Sequence, residues 1–125
     1  MSGETKREFR PAPVRETITA DVLGRVDIRV GTVERVEEVA GSGKLVRLVV
    51  NFGDHRRNIL AGMKRERADP RQLEGRQALF VVNLAPRRMA GEVSEGMLFD
   101  LGYADGLAPA LAVPERAVPD GTRAG

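Results

Sequence analysis

Apolar residues in this chain alternate with polar ones in short runs, which is the pattern of half-buried β-strands. The clearest run is Val26, Ile28 and Val30, after which Gly31 interrupts it and the apolar positions resume from Val33 in a shifted phase. A phase change at a glycine predicts a bulge or a sharp bend in one long strand. Further strands are predicted over residues 45–52, 58–63, 77–84, 97–101 and 107–113.

Two short helical turns are predicted, one before the first strand and one between the third and fourth strands. Thr17 or Thr19 can cap a turn that ends at Leu23, and Asp69 followed by Pro70 is typical of a helix start. Short strands separated by glycine and proline turns, with one short helix between the third and fourth strands, predict an all-β fold. The specific prediction is a five-stranded Greek-key barrel of the OB type with extra C-terminal strands. An SH3-like barrel is the competing fold, but it offers no place for that helix.

The chain of 125 residues has the size of one domain, and 42% of it is apolar, which is enough for one core. Residues 1–16 lack apolar periodicity and are predicted to be a disordered arm, so the ordered domain spans residues 17–125. The longest apolar run, at residues 78–82, is far shorter than the roughly 18 residues of a membrane span. With no cysteine and no apolar leader, we expect a cytoplasmic protein without membrane insertion.

Positive charge is concentrated in the middle of the chain. The net charge is only +2, but residues 56–88 carry nine basic and three acidic residues, a balance of +6. Arg87 and Arg88 lie directly after a predicted strand, in a segment that begins at Asn83 and ends at Gly91. Guanidinium groups in a stiff loop can grip phosphates through paired hydrogen bonds. The sequence therefore predicts an anion-binding surface, with a merely solvated surface as the alternative.

The remaining polar residues form no catalytic or metal-binding pattern. His55, the only histidine, stands in a hairpin-like turn without further soft ligands nearby, and we expect it to be exposed. Asp54 and His55 form no triad with a serine at any convincing spacing. We expect no enzymatic activity, no metal and no cofactor.

Three tracts resemble a known family: Val26-Asp-Ile-Arg-Val-Gly-Thr-Val33, Asn83-Leu-Ala-Pro-Arg-Arg-Met-Ala-Gly91 and Ser94-Glu-Gly-Met-Leu98. They are similar to the tRNA-binding domain of many methionyl-tRNA synthetases, which also occurs as a free-standing tRNA-binding protein and as the secretion chaperone CsaA. Residues 73–83 and 118–125 resemble the CsaA branch in particular. The resemblance covers roughly residues 17–125 and implies an OB fold, a homodimer and no enzymatic activity.

One stretch departs from the family pattern. Where the family often has His-Pro-x-Ala-Asp-Lys-Leu, this chain has Val39-Ala-Gly-Ser-Gly-Lys-Leu45. Lys44 and Leu45 are retained, whereas the histidine and the aspartate are absent. Lys44 follows a Gly-Ser-Gly turn and is expected to be exposed.

The candidate RNA-binding residues come both from the charge distribution and from the family resemblance. Ser94 and Met97 match the family's Ser-x-x-Met element, which implies contacts with a base edge or a ribose. Stabilisation of the turn is the alternative for Ser94 and for Asn83, and core burial is the alternative for Met97. The complete set is Lys44, Arg57, Asn83, Arg87, Arg88, Ser94 and Met97. Arg29 and Arg47 alternate out of phase with the core residues and are predicted to extend the basic face.

A dimer interface is predicted from apolar residues that the barrel does not need. The tract 107–113 is apolar beyond what five strands require, and such a patch normally meets a partner. The predicted interface residues are Val22, Leu23, Leu107, Leu111 and Val113.

The leading functional hypothesis is a homodimer that binds tRNA by its shape and its phosphates. Aromatic residues make up only 4% of the chain, too few for the stacking platforms of generic single-strand binding. The alternative is a CsaA-like chaperone whose partners are unfolded or preprotein peptides. A module that tethers an enzyme is the third hypothesis.

Overall fold

The computed structural model describes residues 8–125. In this part of the chain a short helix α1 (Ala20–Leu23) precedes nine strands: β1 (Ile28–Glu38), β2 (Val46–Asn51), β3 (Arg56–Ala61), β4 (Gln77–Val81), β5 (Arg87–Met89), β6 (Glu92–Ser94), β7 (Met97–Leu98), β8 (Asp100–Leu101) and β9 (Ala110–Leu111). Two 3-10 helices lie at Pro70–Leu73 and Tyr103–Asp105.

Five strands form one antiparallel sheet in the order β3-β2-β1-β4-β7. The sheet curls so that β3 meets the residues just before β7, where the Glu95 amide donates to the Asn58 carbonyl at 2.9 Å. β5 and β6 form a separate hairpin, and β8 and β9 form the extra C-terminal ribbon. The predicted OB-type barrel with a short helix and added C-terminal strands is confirmed.

The long first strand serves both halves of the barrel. Residues 28–32 of β1 pair with β4, and residues 32–38 pair with β2. The predicted bulge is present, but it lies at Glu34 rather than at Gly31. Gly31 has a different role, because a Cβ there would lie 2.5 Å from Cγ1 of Val50 and 2.8 Å from Cε1 of Phe52. The glycine thus lets the core side chains approach the bent strand.

The core fills the inside of this barrel. Phe80 is fully buried, as predicted, and meets Phe52 edge-on with ring centroids 5.6 Å apart. The largest buried side chains around them are Leu48, Ile59, Leu73, Val33, Val46 and Val50. Val39 is buried in a second, smaller cluster with Leu45 and Leu60. Burial of such side chains contributes about 1.5–3 kcal/mol each and provides the main stabilisation of the fold.

Both predicted helix starts are confirmed. The Thr19 hydroxyl accepts a hydrogen bond from the Val22 amide at 3.2 Å, which caps α1. The Asp69 side chain accepts from the Arg71 amide in the same way, although the turn that follows is a 3-10 helix. Its Leu73 side chain is buried and thereby anchors this turn against the barrel.

The last two predicted strands were too long. The strand predicted over residues 97–101 divides into β7, which pairs with β4, and β8, which pairs with β9. The strand predicted over residues 107–113 shortens to β9, since prolines at 109 and 114 cannot donate to a ladder.

The C-terminal tail contains no strand after β9, but it hydrogen-bonds to the first half of β1. The amides of Gly121 and Ala124 donate to the carbonyls of Val30 and Ile28 at 2.7 and 2.8 Å. Gly121 has φ of +93°, and a Cβ there would lie 2.3 Å from the Phe52 carbonyl oxygen. The tail therefore covers an edge of β1 that β2 leaves free.

The N-terminal segment contains no helix or strand over residues 8–16 and is exposed. The Ala12 amide donates to the Asp105 carboxylate, which joins this segment to the second 3-10 helix. The disorder predicted for residues 1–7 lies outside the described residues. Over residues 8–125, no helix has the length and apolar character needed to cross a membrane.

Candidate nucleic-acid interface

Arg87 and Arg88 lie on a strand and not, as predicted, in a loop. They belong to β5, where Arg87 pairs with Ser94 and Arg88 pairs with Val93 of β6. Neighbouring strand residues point to opposite faces, so the two guanidinium groups extend to opposite sides of the hairpin. Both side chains are exposed.

Ser94 attaches this hairpin to the barrel. Its side chain is only 4% exposed. The hydroxyl accepts from the Leu60 amide at 3.0 Å and donates to the Gly96 carbonyl at 2.9 Å. The hydroxyl proton is therefore used inside the protein, and the contacts of Ser94 position the hairpin.

Arg47 forms a second attachment of the hairpin. Its guanidinium pairs with Glu37 of β1 at 2.8 Å and with Glu92 of β6. The hydrogen bond from Arg47 holds the pKa of Glu37 below its ordinary value. This contribution to stability is present above the pKa of the unfolded chain and is lost as the pH falls through the lowered value.

A groove of about 520 Å³ lies between the hairpin, the loop after β1 and the C-terminal ribbon. Its lining is mainly apolar and includes three of the chain's four methionines. We call it the methionine groove and define it by Leu45, Leu60, Met63, Met89, Met97 and Leu98. Met97 is 48% exposed, so the alternative of core burial was wrong for this residue.

Charged side chains border the methionine groove. Three are cationic and two are acidic: Arg15, Lys44, Arg67, Glu66 and Asp100. The side chain of Lys44 passes over Gly62, where a Cβ would lie 2.9 Å from Cε of Lys44. The absence of a side chain at Gly62 thus lets Lys44 extend along the groove.

Arg57 and Asn83 lie apart from this groove and bind the protein's own backbone. Arg57 donates to the carbonyls of Val82 and Glu95 at 2.7 and 2.9 Å. Asn83 accepts from the Asp27 amide and donates to the Arg25 carbonyl, at 2.8 and 2.6 Å. These contacts hold the segment before β1 and the segment before β7 against the barrel.

A second depression, of about 560 Å³, lies beside Arg57 and has a mixed charge. Nε of Arg57 donates to Nε2 of His55 at 2.9 Å, which places the imidazole proton on Nδ1, 2.6 Å from Asp54. The hydrogen bond from Arg29 lowers the pKa of Asp27 in the same depression. His55 is exposed, as predicted.

The structure divides the cations into paired and unpaired groups. Arg29 pairs with Asp27, Arg47 with Glu37 and Glu92, and Arg56 with Glu34, so the predicted extension of the basic face by Arg29 and Arg47 was wrong. Several other cations have no acidic group of residues 8–125 within ion-pair distance. They are Arg15, Lys44, Arg65, Arg67, Arg71, Arg76, Arg87 and Arg88.

The predicted interface residues are mostly exposed. Val22, Leu23, Leu107 and Val113 present apolar side chains to solvent, with Leu23 at 61% exposure. Leu111 is half-buried against the barrel core. Near the first two, further apolar side chains are also exposed: Phe9, Val14, Ile18 and Val26.

Of the predicted RNA-binding residues, only Lys44 and Met97 line the groove. Among the groove residues that the sequence did not indicate are Arg15, Arg67 and Tyr103. Arg15 falls in the segment predicted to be a disordered arm, and Tyr103 follows a predicted strand without any motif. The one available signal was that Tyr103 is the only tyrosine of the chain.

The fold and the groove define a class: a small OB-type barrel with a partly cationic groove between two of its loops. A family model described as "Putative tRNA binding domain" matches residues 28–123. The chain belongs to this family, as the sequence motifs indicated.

Three solved structures are similar to this chain in sequence and in fold. A MetRS-related protein from Pyrococcus horikoshii is 31% identical, with a TM-score of 0.80, and the match covers 89% of this chain and 100% of that one. The chaperone CsaA from Bacillus anthracis is 28% identical, with a TM-score of 0.73 and coverage of 88% and 100%. The C-terminal domain of Plasmodium vivax p43 is 30% identical, with a TM-score of 0.70 and coverage of 79% and 59%.

Replacing Ser94 tests its role in positioning the hairpin. Ser94→Ala leaves the buried Leu60 amide without its acceptor, which costs about 1–3 kcal/mol of unfolding free energy. Urea denaturation should show this loss, while the adjacent exposed Val93→Ala changes stability by less than about 0.5 kcal/mol. Unchanged stability together with weaker RNA binding would instead assign the hydroxyl to the ligand.

Proposed function

We propose that this protein is a non-catalytic cytoplasmic module that binds tRNA, with the methionine groove and the adjoining hairpin as its binding surface. One observation carries the proposal: the groove lies between the loop after β1 and the segment that joins β4 to β7. These are the two loops with which OB folds bind oligonucleotides. The family of the chain, a tRNA-binding domain, supports the same ligand.

The unpaired cations support binding to a polyanion. Lys44 borders the groove, and Met89, which lines it, follows Arg87 and Arg88 on β5. Among the described residues, none of these three cations has an acidic partner. Phosphates therefore need not displace a carboxylate to reach them, and binding gains from release of the counterions on the RNA.

Arg57, Asn83 and Ser94 have a supporting role in this proposal. Each of them holds a protein segment by hydrogen bonds to backbone atoms. The proposed contact residues are accordingly Lys44, Arg87, Arg88 and Met97.

Removal of the hairpin cations should weaken tRNA binding. Arg87→Ala combined with Arg88→Ala is expected to lower affinity roughly a hundredfold or more, because hydrogen bonds to charged groups contribute about 1.5–3 kcal/mol each. The salt dependence should also become less steep, by about one in the log–log slope for each phosphate that the variant no longer binds. Fluorescence anisotropy with tRNA at several salt concentrations measures both effects.

A matched variant controls for the loss of net charge. Arg71→Ala combined with Arg76→Ala also removes two exposed, unpaired arginines, and neither lines the groove. An equal loss of affinity in both double variants would indicate diffuse electrostatic attraction and contradict a binding surface at the hairpin.

We further propose that the protein acts as a homodimer. The exposed apolar side chains of α1 and of the C-terminal ribbon form the surface that a second copy would cover. Burying these side chains is favourable at about 25 cal/mol per Å² of apolar surface. A dimer would also bring a second set of hairpin cations to one tRNA.

Light scattering should therefore give twice the chain mass of 13.6 kDa. Leu107→Asp combined with Val113→Asp should shift the protein toward the monomer while the circular dichroism spectrum stays unchanged, because a buried, unpaired carboxylate is costly only in the dimer. Leu84→Asp, at another exposed apolar position, serves as the control. A monomeric wild type would exclude this interface.

Peptide binding of the CsaA type is a second candidate function, and the methionine groove itself favours it. Three methionines and three leucines offer an adaptable apolar lining suited to varied side chains. The similarity to the CsaA chaperone from Bacillus anthracis supports this role.

The chaperone role predicts that the protein suppresses aggregation of an unfolded client at low molar ratio. Met97→Glu should abolish this suppression, because it places a charge in the apolar groove, whereas Arg71→Ala should leave it unchanged. Light scattering of a chemically denatured client on dilution measures the effect. No suppression by the wild type would remove this candidate.

A further inference from the structure

Tyr103 is an exposed aromatic ring at the methionine groove. It is 71% exposed and lines the groove together with Phe99. Among the described residues, the stacked or edge-on ring pairs join Phe52 to His55 and to Phe80, and neither includes Tyr103. One face of this ring is therefore available to a flat ligand.

The backbone around Tyr103 forms a compact turn. Gly102 and Gly106 flank the 3-10 helix with φ of +99° and +76°. The Leu107 amide donates to the Gly102 carbonyl at 2.9 Å, and the Gly106 amide donates to the Tyr103 carbonyl at 3.1 Å. Such a turn reduces the entropy that ordering the ring on a ligand would cost.

Cations surround the same groove. Arg15, Lys44 and Arg67 line it and have no acidic partner within residues 8–125, while Glu66 and Asp100 leave its lining with a net charge of +1. The bond from the Ala12 amide to Asp105 holds the segment that carries Arg15 beside the helix of Tyr103.

We propose that the methionine groove holds one unpaired nucleotide of the RNA, with its base stacked on Tyr103 and its flanking phosphates near Lys44, Arg15 and Arg67. This inference rests on the proposed tRNA-binding function. The volume of about 520 Å³ lies within the range of about 300–1,000 Å³ typical of small-ligand pockets. Proteins commonly bind unstacked bases in RNA loops. One stacking site can therefore accompany recognition of the RNA mainly by its shape.

The chain permits a direct optical test. Tyr103 is the only tyrosine and there is no tryptophan, so the intrinsic ultraviolet emission of the protein comes from Tyr103. The titrants are tRNA and a fully paired RNA duplex of similar length, with N-acetyltyrosinamide as the control for light absorbed by the RNA. We expect saturable quenching by tRNA and none by the duplex.

Variants measure how much the ring contributes. Tyr103→Ala should weaken tRNA binding about five- to one-hundred-fold, because the stack of one base on an aromatic ring raises affinity by about this factor. Tyr103→Phe keeps the ring and should restore affinity. Affinity for the paired duplex should not change in either variant. Gln72→Ala, at an exposed position outside both the groove and the proposed dimer surface, should have no effect on tRNA binding.

The outcomes separate this inference from the function on which it rests. Binding of tRNA without quenching, and with full affinity in Tyr103→Ala, would overturn the stacked nucleotide and leave tRNA binding intact. Quenching by an extended apolar peptide but not by tRNA would assign the groove to a peptide and also overturn it. Absence of any tRNA binding would remove both proposals.

Discussion

The whole barrel depends on the hydrogen bonding of the bent strand β1. Its first half pairs with β4 and its second half with β2, and Thr32 pairs with both neighbours. The C-terminal tail covers the edge of the first half of β1. There the Thr32 hydroxyl and the side-chain amide of Gln77 also donate to the Asp120 carboxylate, at 2.6 and 3.0 Å. Because an unpaired buried backbone group costs about as much as a lost hydrogen bond, this arrangement leaves little freedom in how the strands are placed.

The candidate binding surface follows from how the barrel closes. β3 meets the hairpin through Ser94, and the sheet meets the hairpin through Arg47. These buried or paired groups fix the hairpin, so that Met89 lines the methionine groove together with Lys44. Arg87 and Arg88 extend from the two faces of the same hairpin. The polar residues of the chain thus divide into those that build the surface and those that remain available to a ligand. The unpaired cations belong to the second group.

The sequence predicted the barrel well because local signals determined it. Alternating apolar residues marked the strands, and Thr19 and Asp69 marked the helix starts. The phase change at Gly31 indicated the bulge there, but the register shifts at Glu34. Gly31 instead provides room for Val50 and Phe52, which are distant in sequence. Of the predicted site residues, Lys44 and Met97 lie at the methionine groove, whereas Arg57 and Asn83 bind carbonyls that only the folded chain brings near.

The most direct test of the account is fluorescence anisotropy of the purified protein with tRNA and with single-stranded DNA of the same length, at two salt concentrations. The account predicts tighter binding of tRNA, because its shape orients the phosphates toward the unpaired cations, and a steep loss of affinity at higher salt. Equal affinity for both nucleic acids, or binding of tRNA that does not respond to salt, would contradict it.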